Sequence, residues 1–377
     1  MSSGLIELVR DFYSRDQVGL HEPHFDDAES AKLKECIDSG FVSSVGQFVT
    51  DFEKQFANYT GSPHAIAVVN GTCGLQVALK AVGVNQGDKV VVPNITFIAT
   101  SNAVRHSGAT PIYLDIEKEN VGLCPKALAE FFETQCEFKN DVLTEKKTGA
   151  RIAACMPVHI FGNPCLISEI VEVCEKYNVA CVEDAAEALG SYENNKHVGL
   201  TGDVAVFSFN GNKVLTTGGG GMIVTEDEAL AKRLKHLTTT ARVPDGFNFL
   251  HDDFGYNFRM PNLNAALGIA QLEKLDHFLN RKNQLRESYE NFFKDREETL
   301  IASRENTRAN NWLNAVLTES REKRDQLLEE TNAAGIMTRP LWTPMANMKM
   351  NSDGVIGDYP NSNDMFDRIV CLPSGPY

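Results

Sequence analysis

The stretch Phe207-Ser208-Phe209-Asn210-Gly211-Asn212-Lys213-Val214-Leu215-Thr216-Thr217-Gly218-Gly219-Gly220-Gly221 places a lysine between an apolar strand and four consecutive glycines. Glycines let a backbone approach a ligand closely and adopt conformations that other residues avoid. A lysine that is fixed in such a place and partly removed from water has the amine needed to form a Schiff base with a carbonyl compound. Lys213 is therefore the first candidate catalytic residue. The alternative is a glycine-rich turn that carries a solvated lysine.

Short apolar runs alternate with helix-like segments through the central part of the chain. The runs are His64–Asn70, Lys89–Pro93, Thr110–Ile116, Arg151–Ile160, Val179–Asp184, Asp203–Phe209 and Gly221–Thr225. The segments with helical spacing of apolar residues are Thr72–Val82, Phe97–His106, Pro125–Cys136 and Cys165–Tyr177. Strands that are apolar on both faces and alternate with helices predict an α/β fold with a mostly parallel central sheet and helices on both faces.

The pattern changes near residue 241. We predict an N-terminal segment over residues 1–50, a large α/β domain over 51–241 and a smaller α+β domain over 242–377. Pro244-Asp245-Gly246 and its polar neighbours indicate a long loop over Arg242–Met260, and the charged stretch Glu137–Thr148 indicates a solvated loop. The elements expected beyond residue 260 are one or two helices over Asn262–Arg296, a strand Asn311–Leu317, a helix Glu322–Ala334 and a strand Met337–Leu341.

Composition limits the class of protein. The formal net charge of -15, without clustered Lys and Arg, argues against nucleic-acid binding. No run approaches the roughly 20 apolar residues of a membrane span, and the start Met1-Ser2-Ser3-Gly4-Leu5 lacks the layout of a signal peptide. The nine cysteines form no CxxC pair, so we expect reduced, buried thiols. These observations predict a cytoplasmic protein without nucleic-acid or membrane partners, and we single out no metal ligands.

Two further motifs follow strands of the predicted sheet. Asn70-Gly71-Thr72-Cys73-Gly74-Leu75 comes directly after one apolar run, and free backbone N–H groups at a helix start suit a phosphate. Val182-Glu183-Asp184-Ala185-Ala186-Glu187 places carboxylates at another strand end, where ligands bind in open α/β sheets. A buried Asp184 needs a cationic or hydrogen-bonding partner, and a protonated pyridine nitrogen is one such partner. An ordinary helix cap is the alternative at both motifs.

Taken in order, these segments resemble the DegT/DnrJ/EryC1/StrS family, the pyridoxal phosphate (PLP)-dependent nucleotide-sugar aminotransferases. The resemblance runs from about residue 42 to residue 375. Its specific parts are Asn70-Gly71-Thr72, Glu183-Asp184-Ala185-Ala186, Phe207-Ser208-Phe209 with Lys213 and its glycines, and Tyr256-Asn257 with Arg259-Met260. The resemblance implies the aspartate aminotransferase fold, known as fold type I, and a homodimer with shared active sites.

The resemblance also implies a role for each matching residue. Lys213 would form the Schiff base with PLP and act as the general acid and base of the proton transfer. Asp184 would pair with the pyridine nitrogen, Phe97 would stack on the ring face, and Glu187 would lie near the ring hydroxyl. The remaining contacts are to the cofactor phosphate and would come from Gly71, Thr72, Ser208 and the partner subunit's Asn257.

Three features of this sequence can be compared with those of other members of the family. Glu187, with Gly211-Asn212-Lys213 and the glycine run, resembles the subgroup that makes 4-amino-4,6-dideoxy-N-acetylhexoses on UDP for legionaminic acid and related bacterial glycans. Many other members have Gln or His at the position of Glu187. Relatives that dehydrate the sugar at C3 have His in place of the Schiff-base lysine, so Lys213 favours transamination. The family usually has a terminal helix after Leu372-Pro373-Ser374-Gly375, which this sequence lacks.

The predicted reaction moves an amino group from L-glutamate to the C4 ketone of a nucleotide-linked 4-keto-6-deoxyhexose of the UDP-N-acetylhexosamine type. The alternatives are dTDP- or GDP-linked substrates (viosamine or perosamine type), a ketocyclitol, or a non-catalytic regulator that retains PLP. The candidate substrate contacts are Ser43, Ser44, His159, Arg242, Arg259, Arg339 and Trp342. His159 has a structural hydrogen bond as its alternative role, and Trp342 has simple packing.

Overall fold

The computed structural model describes residues 2–377. Its helices are α1 Ser2–Tyr13, α2 Asp27–Asp38, α3 Gln47–Thr60, α4 Gly71–Ala81, α5 Ile98–His106, α6 Pro125–Gln135, α7 Ile167–Lys176, α8 Glu228–Thr238, α9 Asn262–Glu273, α10 Leu275–Phe293, α11 Arg321–Ala333 and α12 Pro360–Arg368. Short 3-10 turns lie at Ile160–Gly162, Met345–Asn347 and Lys349–Gly354.

The strands are β1 His64–Val68, β2 Lys89–Pro93, β3 Thr110–Leu114, β4 Cys136–Lys139, β5 Val142–Glu145, β6 Ile152–Cys155, β7 Ala180–Asp184, β8 Tyr192–Glu193, β9 Lys196–His197, β10 Val204–Ser208, β11 Gly221–Thr225, β12 Arg242–Asp245, β13 Asn248–His251, β14 Thr299–Leu300, β15 Thr307–Arg308, β16 Asn314–Leu317, β17 Arg339–Pro340 and β18 Ile369–Leu372.

Seven strands form the central sheet in the order β1-β11-β10-β7-β6-β2-β3. Strand β11 pairs antiparallel with β1 and β10, whereas all pairs from β10 to β3 are parallel. Strand β2 is buried on both faces, because Val90 and Val92 pack into one apolar cluster and Val91 packs into another on the opposite face. The predicted α/β fold with a mostly parallel sheet is confirmed.

A smaller antiparallel sheet, in the order β14-β16-β18-β17, lies in the C-terminal part of the chain. Its apolar cluster joins Val316 and Val370 to Val9 of α1, Leu285 of α10 and Leu327 of α11. The first helix of the chain therefore packs with the last strands. We propose the division into residues 1–50, 51–241 and 242–377, with the N-terminal segment contributing to the core of the smaller domain.

Two stretches that were predicted as loops contain β-hairpins instead. Within Glu137–Thr148, β4 pairs with β5, and the buried Glu145 carboxylate lies 2.6 Å from Lys89 Nζ. Within Arg242–Met260, β12 pairs with β13 around Gly246, which has a φ of 47°. Such short, charged strands carry little apolar alternation, and their register depends on turn geometry and cross-strand partners.

The structure was also searched for membrane-spanning helices, cysteine pairs and groups of metal ligands. Among residues 2–377, no helix is long and apolar enough to cross a bilayer. All nine cysteines carry free thiols, and all are buried except Cys73 and Cys124, which are half-buried. No group of His, Cys, Asp and Glu side chains in the same part of the chain is arranged to hold a metal ion.

Candidate active site

The carboxyl ends of four strands of the central sheet border a cavity of about 960 Å³. These strands are β1, β2, β7 and β10, and the chain leaves each of them into a segment that lines the cavity. This edge of an open α/β sheet is where ligands bind, because the strand ends leave room between the connecting loops. The predicted residues that line the cavity are Gly71, Thr72, Phe97, Asp184, Glu187, Ser208, Lys213, Arg339 and Trp342.

Helix α4 begins at the cavity wall. Asn70 caps the helix by accepting a 2.8 Å hydrogen bond from Cys73 N. A Cβ atom at Gly71 would lie 3.0 Å from Ser208 Cβ, so glycine at this position lets the start of α4 approach the end of β10 closely. The N–H groups of the first helical turn lack intrahelical acceptors and carry partial positive charge. Together with the hydroxyl groups of Thr72 and Ser208, they form a cradle that fits the phosphate of PLP.

Two adjacent carboxylates at the end of β7 face opposite sides of the sheet. Asp184 lines the cavity, where it accepts hydrogen bonds from Thr100 Oγ1 at 2.7 Å and Ala186 N at 3.1 Å. Burial raises the pKa of Asp184 above its ordinary value, against the effect of the Thr100 hydroxyl. Glu183 points away from the cavity and accepts from Gly199 N at 2.8 Å. A buried carboxylate held like Asp184 fits a protonated pyridine nitrogen.

Lys213 lies between a carboxylate and an aromatic ring. Its side chain is 12% exposed, with Nζ 3.5 Å from Glu187 Oε1 and 3.8 Å from the centroid of the Trp312 ring. Glu187 Oε2 accepts a 2.8 Å hydrogen bond from the N–H group of Phe161, whose φ of 61° is strained for a non-glycine residue. Burial raises the pKa of Glu187 to about 7, although the charge of Lys213 and the N–H group of Phe161 favour the carboxylate.

The other predicted site residues lie outside this cavity. They are Ser43, Ser44, His159, Arg242, Asn257 and Arg259. His159 is fully buried, with Nε2 2.9 Å from Glu183 Oε2 and with Nδ1 accepting from Cys165 N at 3.2 Å. Both ring nitrogens are therefore used inside the protein. Of the two roles predicted for His159, these contacts favour the structural hydrogen bond, which joins β7 to the turn that follows β6.

The segment that carries Asn257 runs beside the end of β1. Val69 N donates a 2.8 Å hydrogen bond to Phe258 O, and Arg259 Nε donates to Asn257 Oδ1 at 3.0 Å. Arg242 is exposed on the hairpin formed by β12 and β13. The two serines lie in the loop before α3. Within one chain none of these residues lines the cavity, so their predicted contacts would require a neighbouring subunit.

A model of the DegT/DnrJ/EryC1/StrS aminotransferase family matches residues 23–377. The chain belongs to this family. It is 35% identical over 359 residues to a GDP-perosamine synthase of Escherichia coli O157:H7, a match that covers 95% of this chain and 93% of the relative. It is 33% identical over 362 residues to a GDP-perosamine synthase of Vibrio cholerae, covering 95% and 94% of the two chains.

Solved structures of the family have the same fold. The crystal structure of the aminotransferase TlmJ from Streptoalloteichus hindustanus matches with a TM-score of 0.86 and 26% identity, over 95% of this chain and 93% of that chain. Membership of the DegT/DnrJ/EryC1/StrS family confirms the predicted enzyme class, a PLP-dependent sugar aminotransferase, and with it the predicted cofactor.

Several residues of this DegT/DnrJ/EryC1/StrS site were missed by the sequence analysis. Thr100, in the first turn of α5, donates a hydrogen bond to Asp184, and Trp312 contacts the amine of Lys213. His21 and Glu22 reach the cavity from the N-terminal segment. The sequence feature that could have pointed to Trp312 is its position directly after Asn310 and Asn311, at the start of a predicted strand. Contacts between segments this far apart in sequence leave no local pattern.

Glu187→Gln gives a test of the electrostatics of this site. The folded protein raises the pKa of Glu187 from an ordinary value of 4.5 to about 7. The unfolded chain therefore releases this proton first, and the wild type loses stability as pH rises through that range. The variant has no such loss, so its free energy of unfolding relative to the wild type should rise by up to about 3 kcal/mol between about pH 5 and about pH 8.

Urea denaturation of the cofactor-free protein and of the variant, at both pH values, measures this difference. The two proteins share every other titratable group, so the difference between their pH dependences reports on Glu187. A difference in unfolding free energy that stays constant with pH would contradict the proposed titration.

Proposed function

We propose that this protein transfers an amino group from L-glutamate to the C4 ketone of a GDP-linked 4-keto-6-deoxyhexose, which gives a 4-amino-4,6-dideoxysugar nucleotide. The observation that carries the proposal is the placement of Lys213, whose amine lies in one cavity with the phosphate cradle and Asp184. The nucleotide assignment is supported by the GDP-perosamine synthases, which are 35% and 33% identical to this chain. These relatives favour the GDP-linked alternative over the UDP-N-acetylhexosamine type that the subgroup resemblance predicted.

PLP, when bound, supplies the carbon that receives the amino group and a ring that acts as an electron sink. The start of α4 and Ser208 would hold its phosphate, and Asp184 would hold its ring nitrogen. Phe97 lines the cavity and is more than half exposed, so its ring is free to cover a face of the cofactor. Each of these contacts comes from a strand end that the fold places on one edge of the sheet.

Lys213 and Glu187 would carry out the proton transfers. As a free amine, Lys213 Nζ would take a proton from the reacting carbon of the donor and return one to C4 of the sugar. Glu187 lies 3.5 Å from this amine and has a pKa of about 7, so it can exchange a proton with Lys213 near neutral pH. The contact between the two groups supports proton exchange in both directions, as two half-reactions require.

Arg339 and Trp342 are the candidate substrate contacts of this cavity. Arg339 Nη1 is held by Asn332 Oδ1 at 3.0 Å and Thr338 O at 2.8 Å, which leaves its other nitrogens to donate to the diphosphate. The ring of Trp342 lies 6.3 Å from that of Phe97, so it would pack against the sugar or the base beside the cofactor. A volume of about 960 Å³ is at the upper end of ligand cavities and suits a cofactor together with a substrate.

A homodimer would complete the site, with the partner subunit's Asn257 reaching the cofactor phosphate. The segment around Asn257 carries exposed aromatic side chains, and Phe254 is 89% exposed. Large apolar groups that are this exposed are typical of interaction surfaces. Arg242, Arg259 and the serines before α3 would then be available to the neighbouring cavity.

A panel of substrates tests the proposed function. GDP-, dTDP- and UDP-linked 4-keto-6-deoxysugars and a ketocyclitol are each incubated with the protein, PLP and L-glutamate, and the products are weighed by mass spectrometry. We expect the amino product from GDP-4-keto-6-deoxymannose, with kcat/KM at least about tenfold above that of the other nucleotides. A preference for the UDP-linked N-acetyl sugar would overturn the nucleotide assignment alone. PLP binding without any product would favour the non-catalytic alternative.

A further inference from the structure

The amine of Lys213 faces the ring of Trp312, a residue to which the proposed reaction assigns no role. The distance from Nζ to the ring centroid is 3.8 Å, and Glu187 Oε1 lies 3.5 Å from the same nitrogen. Trp312 is buried, and it is one of two tryptophans in the chain. An ammonium group over an indole face is attracted by the ring quadrupole, and the attraction is stronger where little water is present.

Hydrogen bonds at both ends of Trp312 fix its position. The ring Nε1 donates to Asn212 O at 2.7 Å, and the backbone N donates to Asn310 Oδ1 at 2.8 Å. The carbonyl oxygen of Trp312 accepts from Nζ of the fully buried Lys282 at 3.3 Å. The ring of Trp342 lies nearly parallel to the indole, with ring centroids 6.4 Å apart and an interplanar angle of 17°. The ring therefore has little freedom to turn away from Lys213.

Asn310 connects the two groups that flank the amine. Its Nδ2 donates to Glu187 O at 2.8 Å and to Leu189 O at 2.9 Å, while its Oδ1 accepts from Trp312 N. The buried amide thus uses both donors and its acceptor. A Cβ atom at Gly162 would lie 1.8 Å from Asn310 Oδ1, so the glycine leaves the space that this amide occupies. One side chain therefore sets the spacing between the Glu187 segment and Trp312.

We propose that Trp312 is a positioning residue for Lys213. Its ring binds the ammonium form of the amine whenever Lys213 is not bonded to the cofactor, and Glu187 contacts the same nitrogen. Asn310 fixes the positions of both residues through its hydrogen bonds to Glu187 O and Trp312 N. The importance of this contact for catalysis rests on the proposed function, because the amine is released in each half-reaction and must stay beside the reacting carbon. The contact keeps the amine inside the cavity and prevents it from turning toward solvent.

Amine labelling in the full-length, PLP-free protein tests this contact. A short pulse of acetic anhydride acetylates unprotonated amines, and mass spectrometry then gives the labelling rate of Lys213 relative to Lys232, whose side chain is 75% exposed. Trp312→Leu keeps an apolar side chain without a ring, so near pH 7.5 Lys213 should be labelled about five- to thirtyfold faster than in the wild type. Trp312→Phe keeps an aromatic face, so the labelling rate of Lys213 in this variant should stay within about threefold of the wild-type rate.

The labelling of Lys282 separates the proposed contact from a general opening of the cavity. Its buried Nζ lies 3.3 Å from the carbonyl oxygen of Trp312, and its labelling rate should stay within about threefold of the wild type in both variants. A rise in the labelling of Lys282 that parallels the rise at Lys213 would overturn the proposal. So would an equal increase in both variants, or an increase of less than about threefold in Trp312→Leu near pH 7.5.

Indole fluorescence supplies a second measurement, which requires no substitution of the buried Trp312. Both tryptophans of the chain line this cavity, so the emission of the wild type reports on it. We expect the emission of the wild type near pH 7.5 to differ from that of Lys213→Met, because the variant removes the ammonium group from the face of Trp312. Identical emission spectra of the two proteins would overturn the proposal. Neither measurement uses a sugar or glutamate, so its outcome is independent of whether amino transfer is observed.

Discussion

Replacing Lys213 by Ala should lower kcat for amino transfer by at least about 10³-fold and abolish the visible absorption band of lysine-bound PLP. The amine is needed twice, once to bond to the cofactor and once to move the proton. The phosphate cradle and Asp184 are unchanged, so the variant should still bind PLP in equilibrium dialysis, with lower affinity. Lys213→His should lose amino transfer to the same degree, because an imidazole cannot form the Schiff base.

Lys232→Ala is the matched control for Lys213→Ala. Lys232 lies on α8 with a 75% exposed side chain, and its partner is Glu228 four residues earlier on the same helix. Its replacement should leave both kcat and the absorption band unchanged. If Lys213→Ala kept the band and the activity, another lysine would have to hold the cofactor and the assignment of this site would be wrong.

Asp184→Asn should lower kcat by about 10²- to 10³-fold while leaving PLP bound. The amide has the size of the carboxylate and can still accept from the Thr100 hydroxyl, but it carries no charge to keep a pyridine nitrogen protonated. The cofactor would then be a poorer electron sink. Steady-state kinetics and the PLP content after dialysis separate this effect from simple loss of the cofactor.

Thr100→Val provides the comparison for Asp184→Asn. It removes the 2.7 Å hydrogen bond that orients Asp184 and retains the charge, so we expect a drop of only about tenfold in kcat. An Asp184→Asn enzyme with activity within about tenfold of the wild type would contradict the pairing of this carboxylate with the ring nitrogen. So would a larger loss in Thr100→Val than in Asp184→Asn.

The fold was predictable where burial on both sheet faces produces continuous apolar runs. Val90-Val91-Val92 of β2 is such a run, with alternate valines in separate apolar clusters. The hairpin that contains Glu145 was not predictable in the same way, because its burial depends on an ion pair with Lys89, 56 residues earlier. A charged sequence indicates solvent exposure unless its distant partner is known.

The site was predictable where residues follow directly from strand ends. Gly71, Asp184 and Ser208 are of this kind, and all three line the cavity. His159 also follows a strand, yet its ring turns to the buried Glu183, since the direction of a side chain after a strand depends on the local turn. The burial of Lys282 was also not predictable from the sequence. It lies in the polar sequence of α10, which indicates exposure, but it is fully buried against carbonyl groups from other segments.

The central claim is that Lys213 and its cavity deliver nitrogen from glutamate to C4 of a GDP-linked sugar. Incubation of the enzyme with PLP, ¹⁵N-labelled L-glutamate and GDP-4-keto-6-deoxymannose, followed by NMR of the isolated product, tests it directly. The predicted result is ¹⁵N bonded to C4, with one 2-oxoglutarate formed for each sugar converted. A product without ¹⁵N, or with ¹⁵N bonded to any other carbon of the sugar, would contradict it.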